Sequence, residues 1–138
     1  MSSLEQTLSI IKPDAVERYL EGVIKNFFEK NNLKIIKSKK VKISKEEASE
    51  FYKIHQTKPF YGELCTYLSS GPIVVMILEG ENAINKNRKL MDATDPLKSE
   101  EGTLRKMYGI SIDKNSVHGS DSPENGKIEI DFFFNRVT

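Results

Sequence analysis

The sequence predicts an α+β domain in which helices pack against one face of a small β-sheet. Short apolar stretches alternate along the chain with segments whose apolar residues recur at helical spacing, which indicates strands and helices in turn. Residues 73–78 form a continuous apolar run that is typical of a central strand buried on both faces. The length of 138 residues suits a single domain, residues 1–138, with a hydrophobic core of its own.

The N-terminal elements are indicated by periodicity and by the residues that interrupt it. Residues 8–11 predict a short strand, which ends before Pro13 because proline cannot donate a backbone hydrogen bond. Apolar residues at helical spacing in residues 23–28 predict a helix that ends at residues 31–32. Residues 33–43 predict a second strand with lysines on its open face.

The middle of the chain predicts two helices before the central strand. Ser44 and Glu47 have the spacing of a capping box, which opens a helix that extends as far as His55. Residues 61–68 predict another short helix, and the Ser-Ser-Gly-Pro sequence at 69–72 predicts a turn.

The C-terminal part of the chain is less regular, and its last element is open to two interpretations. Residues 81–91 predict a helix, residues 92–102 an excursion loop and residues 103–108 a short helix. Residues 128–132 alternate like a strand, whereas the Ser-Pro pair at 122–123 is typical of a helix start. The residues alone leave this choice open.

Composition and charge narrow the possible classes of function. The net charge of +1 gives no general attraction to nucleic acid or to a membrane, so a basic site must be a local cluster. The single cysteine, Cys65, excludes an intrachain disulfide and indicates a small core residue. No apolar run is long enough to cross a bilayer, and the N-terminus lacks the features of a signal peptide. We therefore expect a cytoplasmic protein.

Known phosphate-binding and metal-binding motifs are missing from the sequence. It contains neither G-x-G-x-x-G nor a P-loop. Its two histidines, His55 and His118, have no partners at metal-ligand spacing, so we expect no dedicated protein metal site. Arg88 and Arg105 flank a polar loop that includes Thr94, an arrangement that suits a chain of phosphate oxygens. The alternative is that both arginines are ordinary solvated surface groups.

His118 is the strongest candidate for chemistry. It lies among the small polar residues Gly119, Ser120 and Ser122, which fits either a plain surface turn or an imidazole that a substrate can reach. A neutral imidazole can attack phosphorus if its other nitrogen is held by an acceptor. Glu129 is a candidate for that acceptor, and the small neighbours leave room for a phosphoryl group.

Several segments, in the same order and with matching spacing, resemble the nucleoside diphosphate kinase family. The resemblance runs from about residue 4 to residue 134, and so many motifs in register are highly specific. The matching segments are Leu8-Ser-Ile-Ile-Lys-Pro-Asp-Ala-Val16, Phe51-Tyr-x-x-His55, Lys58-Pro-Phe60, Ser70-Gly-Pro72, Leu78-Glu-Gly80, Arg88, Ala93-Thr-Asp-Pro96, Gly102-Thr-Leu-Arg105 and Asn115-x-x-His-Gly-Ser-Asp-Ser122.

The resemblance implies a fold and an activity. The fold would be a ferredoxin-like βαββαβ core, a four-stranded antiparallel sheet covered by helices. Residues 123–134 would then form a helix, and His118 would lie on a short strand before it. The activity would be transfer of the γ-phosphate of a nucleoside triphosphate to a nucleoside diphosphate. It would follow a ping-pong mechanism through a phosphohistidine, with broad base tolerance.

The resemblance also implies catalytic roles. His118 would be the nucleophile, Glu129 would orient its ring, and Ser120 would support that acid. Lys12 and Tyr52 would contact the phosphoryl group in transfer and stabilise the charge that develops there.

The resemblance implies that a second set of residues binds the nucleotide. Arg88, Thr94 and Arg105 would hold the leaving phosphates. Asn115, together with Lys12, would bind the ribose 3′-hydroxyl.

The base would lie between apolar side chains. Phe60 would stack on one face of the base and Ile112 would cover the other, with Leu64 nearby. Because every base has a π-face, such a site would accept ATP, ADP, GTP, GDP and their deoxy forms. Mg²⁺ would arrive on the nucleotide phosphates rather than in a protein cage. The protein would form a homo-oligomer, a tetramer or a hexamer, without a membrane or an obligate nucleic-acid partner.

Some positions depart from the family pattern. Glu21 and Lys58 replace an apolar residue and an arginine, Tyr61 replaces a phenylalanine, and residues 106–107 are also atypical. Asp92 stands where a glycine is expected. We expect it to weaken nucleotide affinity through its negative charge, or to stiffen the loop.

Two alternative functions have to be distinguished from kinase activity. A regulatory or nucleic-acid-binding protein could keep this fold without catalysis, but the near-zero net charge and the presence of every catalytic position argue against it. A phosphohistidine carrier could instead pass its phosphate to another protein.

Overall fold

The computed structural model describes residues 4–53, 57, 61–93, 95–110 and 114–136. The sequence predictions for His55, Lys58, Phe60, Thr94 and Ile112 lie outside the described residues.

A four-stranded sheet forms the centre of the molecule. Its spatial order is β2-β3-β1-β4, and every neighbouring pair is antiparallel. This is the strand order and direction of a ferredoxin-like sheet, so the fold prediction is confirmed. The strands are β1 (Leu4–Ile11), β2 (Lys34–Val41), β3 (Ile73–Glu81) and β4 (Val117–Gly119).

Helices occupy each connection between the strands. Among the described residues, two helices lie between β1 and β2, two between β2 and β3, two between β3 and β4, and one follows β4. They are α1 (Pro13–Glu17), α2 (Glu21–Lys30), α3 (Lys45–Phe51), α4 (Tyr61–Leu68), α5 (Ala83–Met91), α6 (Leu104–Tyr108) and α7 (Pro123–Asp131); a 3₁₀ turn covers Pro96–Lys98 and a π-helical turn Phe132–Arg136.

Both faces of the sheet are covered, so the prediction that helices pack on one face is wrong. Leu8 and Val75 belong to a core cluster that includes residues of α3, α4 and the turn after α7. Val74 and Met76 point to the opposite face and pack with residues of α1, α2 and α5. Successive residues of a strand point to opposite faces. A continuous apolar run such as 73–78 therefore needs a cover on each side.

Several boundaries differ from the sequence prediction. β3 continues to Glu81 because that residue pairs with Leu4, and α5 therefore begins at Ala83 rather than at residue 81. The helix predicted to reach residue 55 is described as α3, which ends at Phe51. The predicted helix at 123–134 is α7 followed by the π-helical turn.

The capping box is confirmed. The Ser44 hydroxyl accepts a hydrogen bond from the Glu47 backbone N–H at 3.0 Å. The Glu47 carboxylate accepts one from the Ser44 N–H at 2.9 Å. Two otherwise unpaired donors at the start of α3 are thereby satisfied. This fixes the start of the helix that leads to Tyr52.

No helix in the described part of the chain is both long enough and apolar enough to cross a membrane.

Candidate active site

The central strand β1 and the edge strand β4 bring the main candidate residues together. Ile10 pairs with His118, and Ile11 pairs with Val117. Lys12 directly follows β1, and its backbone N–H donates to the Ser116 carbonyl oxygen at 2.8 Å. Backbone hydrogen bonds therefore hold Lys12, at the end of β1, near His118 on the adjacent strand β4.

His118 is held by a chain of hydrogen bonds. Its Nε2 lies 3.3 Å from Glu129 Oε1, and the same oxygen accepts a bond of 2.7 Å from the Ser120 hydroxyl. The Ser120 Oγ accepts in turn from the Leu8 backbone N–H at 3.2 Å. Because a carboxylate only accepts hydrogen bonds, it favours the tautomer with the proton on Nε2. The ring's lone pair is then on Nδ1, with 21% of the side chain exposed.

Phe51 contacts the His118 ring, a role that the sequence analysis did not assign. The ring centroids are 5.3 Å apart and the planes meet at 75°. Phe51 also packs against Tyr52, Phe132 and Phe133, with centroid separations of 5.0, 5.9 and 4.9 Å. One side of the imidazole is therefore apolar. The signals in the sequence are that Phe51 lies on the predicted helix and begins the Phe51-Tyr-x-x-His55 segment.

Lys12 and Asn115 form a buried pair. The Lys12 ammonium donates to Asn115 Oδ1 at 3.0 Å, and the two residues are only 6% and 1% exposed. A buried ammonium needs such partners because desolvation of an unpaired charge is costly. The structure thus brings together the two residues expected to bind the ribose hydroxyl.

Arg105 is held in place by backbone carbonyls. Its Nη1 donates to the Asp92 carbonyl oxygen at 2.9 Å and its Nη2 to the Val117 carbonyl oxygen at 3.1 Å. Its buried Nε has no hydrogen-bond partner among the residues that the structure describes. Burial, with the nearby charge of Arg88, lowers the pKa of Arg105 to about 10. The guanidinium still carries its charge at neutral pH.

Arg88 and Arg105 line one cavity of about 530 Å³. Asn85, Lys89 and Asp92 also line it. The two arginines that flank the polar loop in sequence are therefore neighbours in space, as the phosphate hypothesis requires. The cavity has a positive lining with one acid, which suits an anion of several phosphates.

Tyr52 is almost completely buried at the end of α3. Burial raises the pKa of its hydroxyl, as do Cys65 and Glu129, while Arg105 lowers it. Tyr52 therefore stays protonated over the whole physiological range and can donate its hydroxyl hydrogen. Leu64 and Cys65 pack in the same core cluster, and Cys65 is the small core residue that the sequence predicts.

Asp92 shows why a glycine is expected at its position. Its φ of +66° and ψ of −151° lie in a region that is essentially restricted to glycine. Its carboxylate accepts a hydrogen bond from the Glu100 N–H at 2.5 Å, which ties the two ends of the intervening loop together. Asp92 therefore forms a loop contact through its side chain that a glycine at this position could not form.

Among the described residues, no group of three or more histidine, cysteine, aspartate and glutamate side chains could hold a metal ion.

Comparison with known proteins points to one family. Residues 5–138 match the family model described as nucleoside diphosphate kinase. A nucleoside diphosphate kinase of Persephonella marina is 54% identical over 135 residues, which are 98% of this chain and 96% of that protein. One of Campylobacter fetus is 56% identical over 131 residues, with 95% and 96% covered.

Solved structures of the same family share the fold. The Aquifex aeolicus nucleoside diphosphate kinase has a TM-score of 0.94 at 38% identity, with 98% of each chain covered. A halophilic nucleoside diphosphate kinase from Halobacterium salinarum, in complex with CDP, has a TM-score of 0.92 at 38% identity. That comparison covers 96% of this chain and 89% of the other.

Proposed function

The chain belongs to the nucleoside diphosphate kinase family, and on that basis we propose that its phosphoryl transfer runs through His118. Membership makes the chain a phosphotransferase that acts on nucleoside triphosphates and diphosphates. The observation that carries the proposal is the chain from Leu8 N–H through Ser120 and Glu129 to His118 Nε2. It leaves one ring nitrogen of a half-buried histidine with a lone pair for an electrophile.

The reaction consists of two half-reactions at the same nitrogen. In the first, the Nδ1 lone pair of His118 attacks the γ-phosphorus and a P–N bond forms. The bond from phosphorus to the bridging oxygen breaks, and the nucleoside diphosphate leaves with that electron pair. In the second, a terminal oxygen of another nucleoside diphosphate attacks the phosphorus, and the P–N electrons return to His118. Glu129 stabilises the imidazolium character that the ring acquires in between.

The buried donors around His118 supply charge stabilisation in this scheme. The Lys12 ammonium and the protonated Tyr52 hydroxyl are proposed to meet the oxygens of the phosphoryl group as it passes to the ring. Both are fixed before substrate arrives, Lys12 by Asn115 and Tyr52 by burial. Fixed donors of this kind need little reorganisation during the reaction.

The remaining nucleotide contacts are proposed as the family resemblance implies. Arg88, Thr94 and Arg105 hold the phosphates that stay on the nucleotide, and the cavity lined by the two arginines supports this assignment. Asn115 and Lys12 bind the ribose 3′-hydroxyl. The base is proposed to lie between Phe60 and Ile112, with Leu64 nearby, and of these three residues only Leu64 lies in the described part of the chain.

A divalent metal is generally needed by a nucleotide kinase, and we propose Mg²⁺ bound to the substrate phosphates. It would neutralise phosphate charge when bound. The homo-oligomeric state and the cytoplasmic location stay predictions.

Transfer of label from ATP tests the proposal. Incubation with γ-³²P-ATP and removal of nucleotide should leave an acid-labile, alkali-stable label on the chain. His118→Ala should abolish the label, whereas the matched change His55→Ala should retain it. An unlabelled but folded wild-type chain would refute the kinase mechanism, and a labelled His118 variant would move the nucleophile elsewhere.

A chase with GDP separates the kinase from a phosphohistidine carrier. Added GDP or CDP alone should remove the label from the protein within one turnover and yield labelled triphosphate. A label that resists both nucleotides would favour a protein acceptor instead. No observation favours the non-catalytic alternative.

A further inference from the structure

We infer that Asp14, Arg18 and Ser116 form a positioning network, the loop anchor, that holds Asn115 against Lys12. Through this pair the loop anchor would determine how strongly the enzyme uses the 3′-hydroxyl of its nucleotide. The inference rests on the roles proposed above for Lys12 and Asn115.

Asp14 is the centre of the loop anchor. It is 5% exposed, and one carboxylate oxygen accepts from the Ser116 hydroxyl at 2.8 Å and from Arg18 Nη2 at 3.1 Å. The other oxygen accepts from the Tyr67 hydroxyl. Burial and this hydrogen bond raise the pKa of Tyr67, so Tyr67 remains a donor. A buried carboxylate with three donors is satisfied and holds its neighbours in one arrangement.

Arg18 connects α1 to the segment that carries Asn115. Its Nε donates to the Asp14 carbonyl oxygen at 3.0 Å, which fixes the side chain on α1. Its Nη2 lies 2.5 Å from the Tyr108 carbonyl oxygen, at the end of α6, and 3.1 Å from Ser116 Oγ. The planar guanidinium therefore spans both ends of the connection between α6 and β4.

Ser116 has a backbone conformation that needs such support. It is fully buried with a φ of +74°, which a residue with a Cβ rarely adopts. Conformations of this kind persist when the surrounding structure over-determines them, and they are concentrated at functional sites. Here the support comes from the Asp14 and Arg18 side chains at Ser116 Oγ.

The strained residue is joined directly to the proposed ribose site. The Ser116 carbonyl oxygen accepts from the Lys12 N–H at 2.8 Å, and Asn115 Oδ1 accepts from the Lys12 ammonium at 3.0 Å. A shift of Ser116 would therefore move Asn115 relative to Lys12. In the described contacts the loop anchor bonds to these flanking segments and not to His118, so its members are positioning residues rather than catalytic ones.

Two substrates that differ only in the 3′-hydroxyl separate positioning from simple support of the fold. We would measure kcat/KM for 2′-deoxy-ATP and for 2′,3′-dideoxy-ATP in Arg18→Ala, Arg18→Lys and Ser116→Gly. Ser116→Gly keeps the positive φ accessible but removes the hydroxyl. Loss of positioning should lower kcat/KM for the hydroxylated substrate by roughly tenfold and that for the dideoxy substrate by less than about twofold.

Two reference variants calibrate the measurement. Asn115→Ala should show the same selective loss because it removes the proposed contact itself. Lys25→Ala breaks the ion pair with Glu21 on α2, which has the same i,i+4 spacing as the pair of Arg18 with Asp14. It should leave kcat/KM unchanged for both substrates. Arg18→Lys keeps the charge beside Asp14 but loses the planar guanidinium group. Its preference for 2′-deoxy-ATP over 2′,3′-dideoxy-ATP should therefore lie between those of the wild type and of Arg18→Ala.

The outcomes are distinct. Equal losses for both substrates in the loop-anchor variants, with a selective loss in Asn115→Ala, would overturn the inference and leave the proposed ribose site intact. No selective loss in Asn115→Ala would overturn the proposed ribose role and the inference with it. If Arg18→Ala does not fold, Ser116→Gly and Arg18→Lys test the inference instead, through the ratio of kcat/KM for 2′-deoxy-ATP to kcat/KM for 2′,3′-dideoxy-ATP.

Discussion

At the scale of single residues, the site depends on groups whose environment restricts them to one state. Glu129 holds one nitrogen of His118, burial keeps Tyr52 protonated, and Arg105 is tied to two carbonyl oxygens. The sequence could suggest His118 and Glu129 because the chemistry requires a nucleophile and an acceptor. It could not reveal the Lys12–Asn115 bond, because no local pattern relates residues 103 positions apart.

Asp92 allows a test of how one acid alters a phosphate site. Asp92→Gly and Asp92→Asn both remove a negative charge from the cavity that Arg88 and Arg105 line. We expect either change to tighten ADP binding by roughly two- to fivefold at low salt, and less at high salt, because charges near the surface are screened. Isothermal titration calorimetry measures the effect.

The two Asp92 variants also separate charge from backbone strain. The glycine variant relieves a strained φ but loses the bond to the Glu100 N–H, whereas asparagine keeps an acceptor oxygen at that place. Equal tightening in both would assign the effect to charge. Unchanged affinity in both would show that Asp92 does not weaken binding.

At the scale of elements, strong local sequence signals predicted the secondary structure correctly. Weaker patterns gave wrong predictions where tertiary contacts determine the structure. The C-terminal segment illustrates both. Ser122 caps α7 by accepting from the Asn125 N–H at 3.1 Å, and this start signal prevailed over the strand-like alternation of 128–132. The helix leaves Ile128 65% exposed, which removes the burial that the alternation suggested.

The backbone of β4 lies close to α5 at Gly119, the residue that follows His118. A Cβ added at Gly119 would lie 2.2 Å from Asn87 Nδ2 and 2.7 Å from Met91 Cε. Both side chains are buried and have little room to move, so Gly119→Ala should destabilise the fold by about 1–3 kcal/mol and lower kcat. Chemical denaturation and steady-state assays measure the two effects.

Two comparison variants sharpen this prediction. Gly62→Ala on α4 meets nothing within 4 Å and should be neutral or slightly stabilising. The double change Gly119→Ala with Asn87→Ala should recover stability, because it makes room and removes a buried amide that has no hydrogen-bond partner in the described part of the chain. A Gly119→Ala protein as stable as wild type would contradict the close packing.

At the scale of the whole molecule, the sheet with two covered faces positions the site. One core cluster lies beneath α3, α4 and the turn after α7, and it includes Tyr52. The sequence predicted the central strand correctly because 73–78 is apolar throughout. It did not predict helices on both faces, since periodicity identifies which elements are amphipathic but not where they pack.

Phe133 tests how far the core supports the site. It is fully buried and its ring lies 4.9 Å from that of Phe51, which itself contacts His118. Phe133→Ala should reduce the free energy of unfolding by about 3–5 kcal/mol, as measured by urea denaturation. The exposed Ile128→Ala on α7 should change it little, and similar effects for the two variants would contradict the packing described here.

The bond from Glu129 to Nε2 has a stereochemical consequence. If the phosphoryl group is carried on the nitrogen adjacent to the ring carbon that bears the side chain, the covalent intermediate is a single positional isomer. The phosphorus would then lie close to the β4 backbone rather than at the outer tip of the ring. An acceptor oxygen must approach along the line of the P–N bond from the opposite side, so the direction of nucleotide entry is already set by which nitrogen the acid holds.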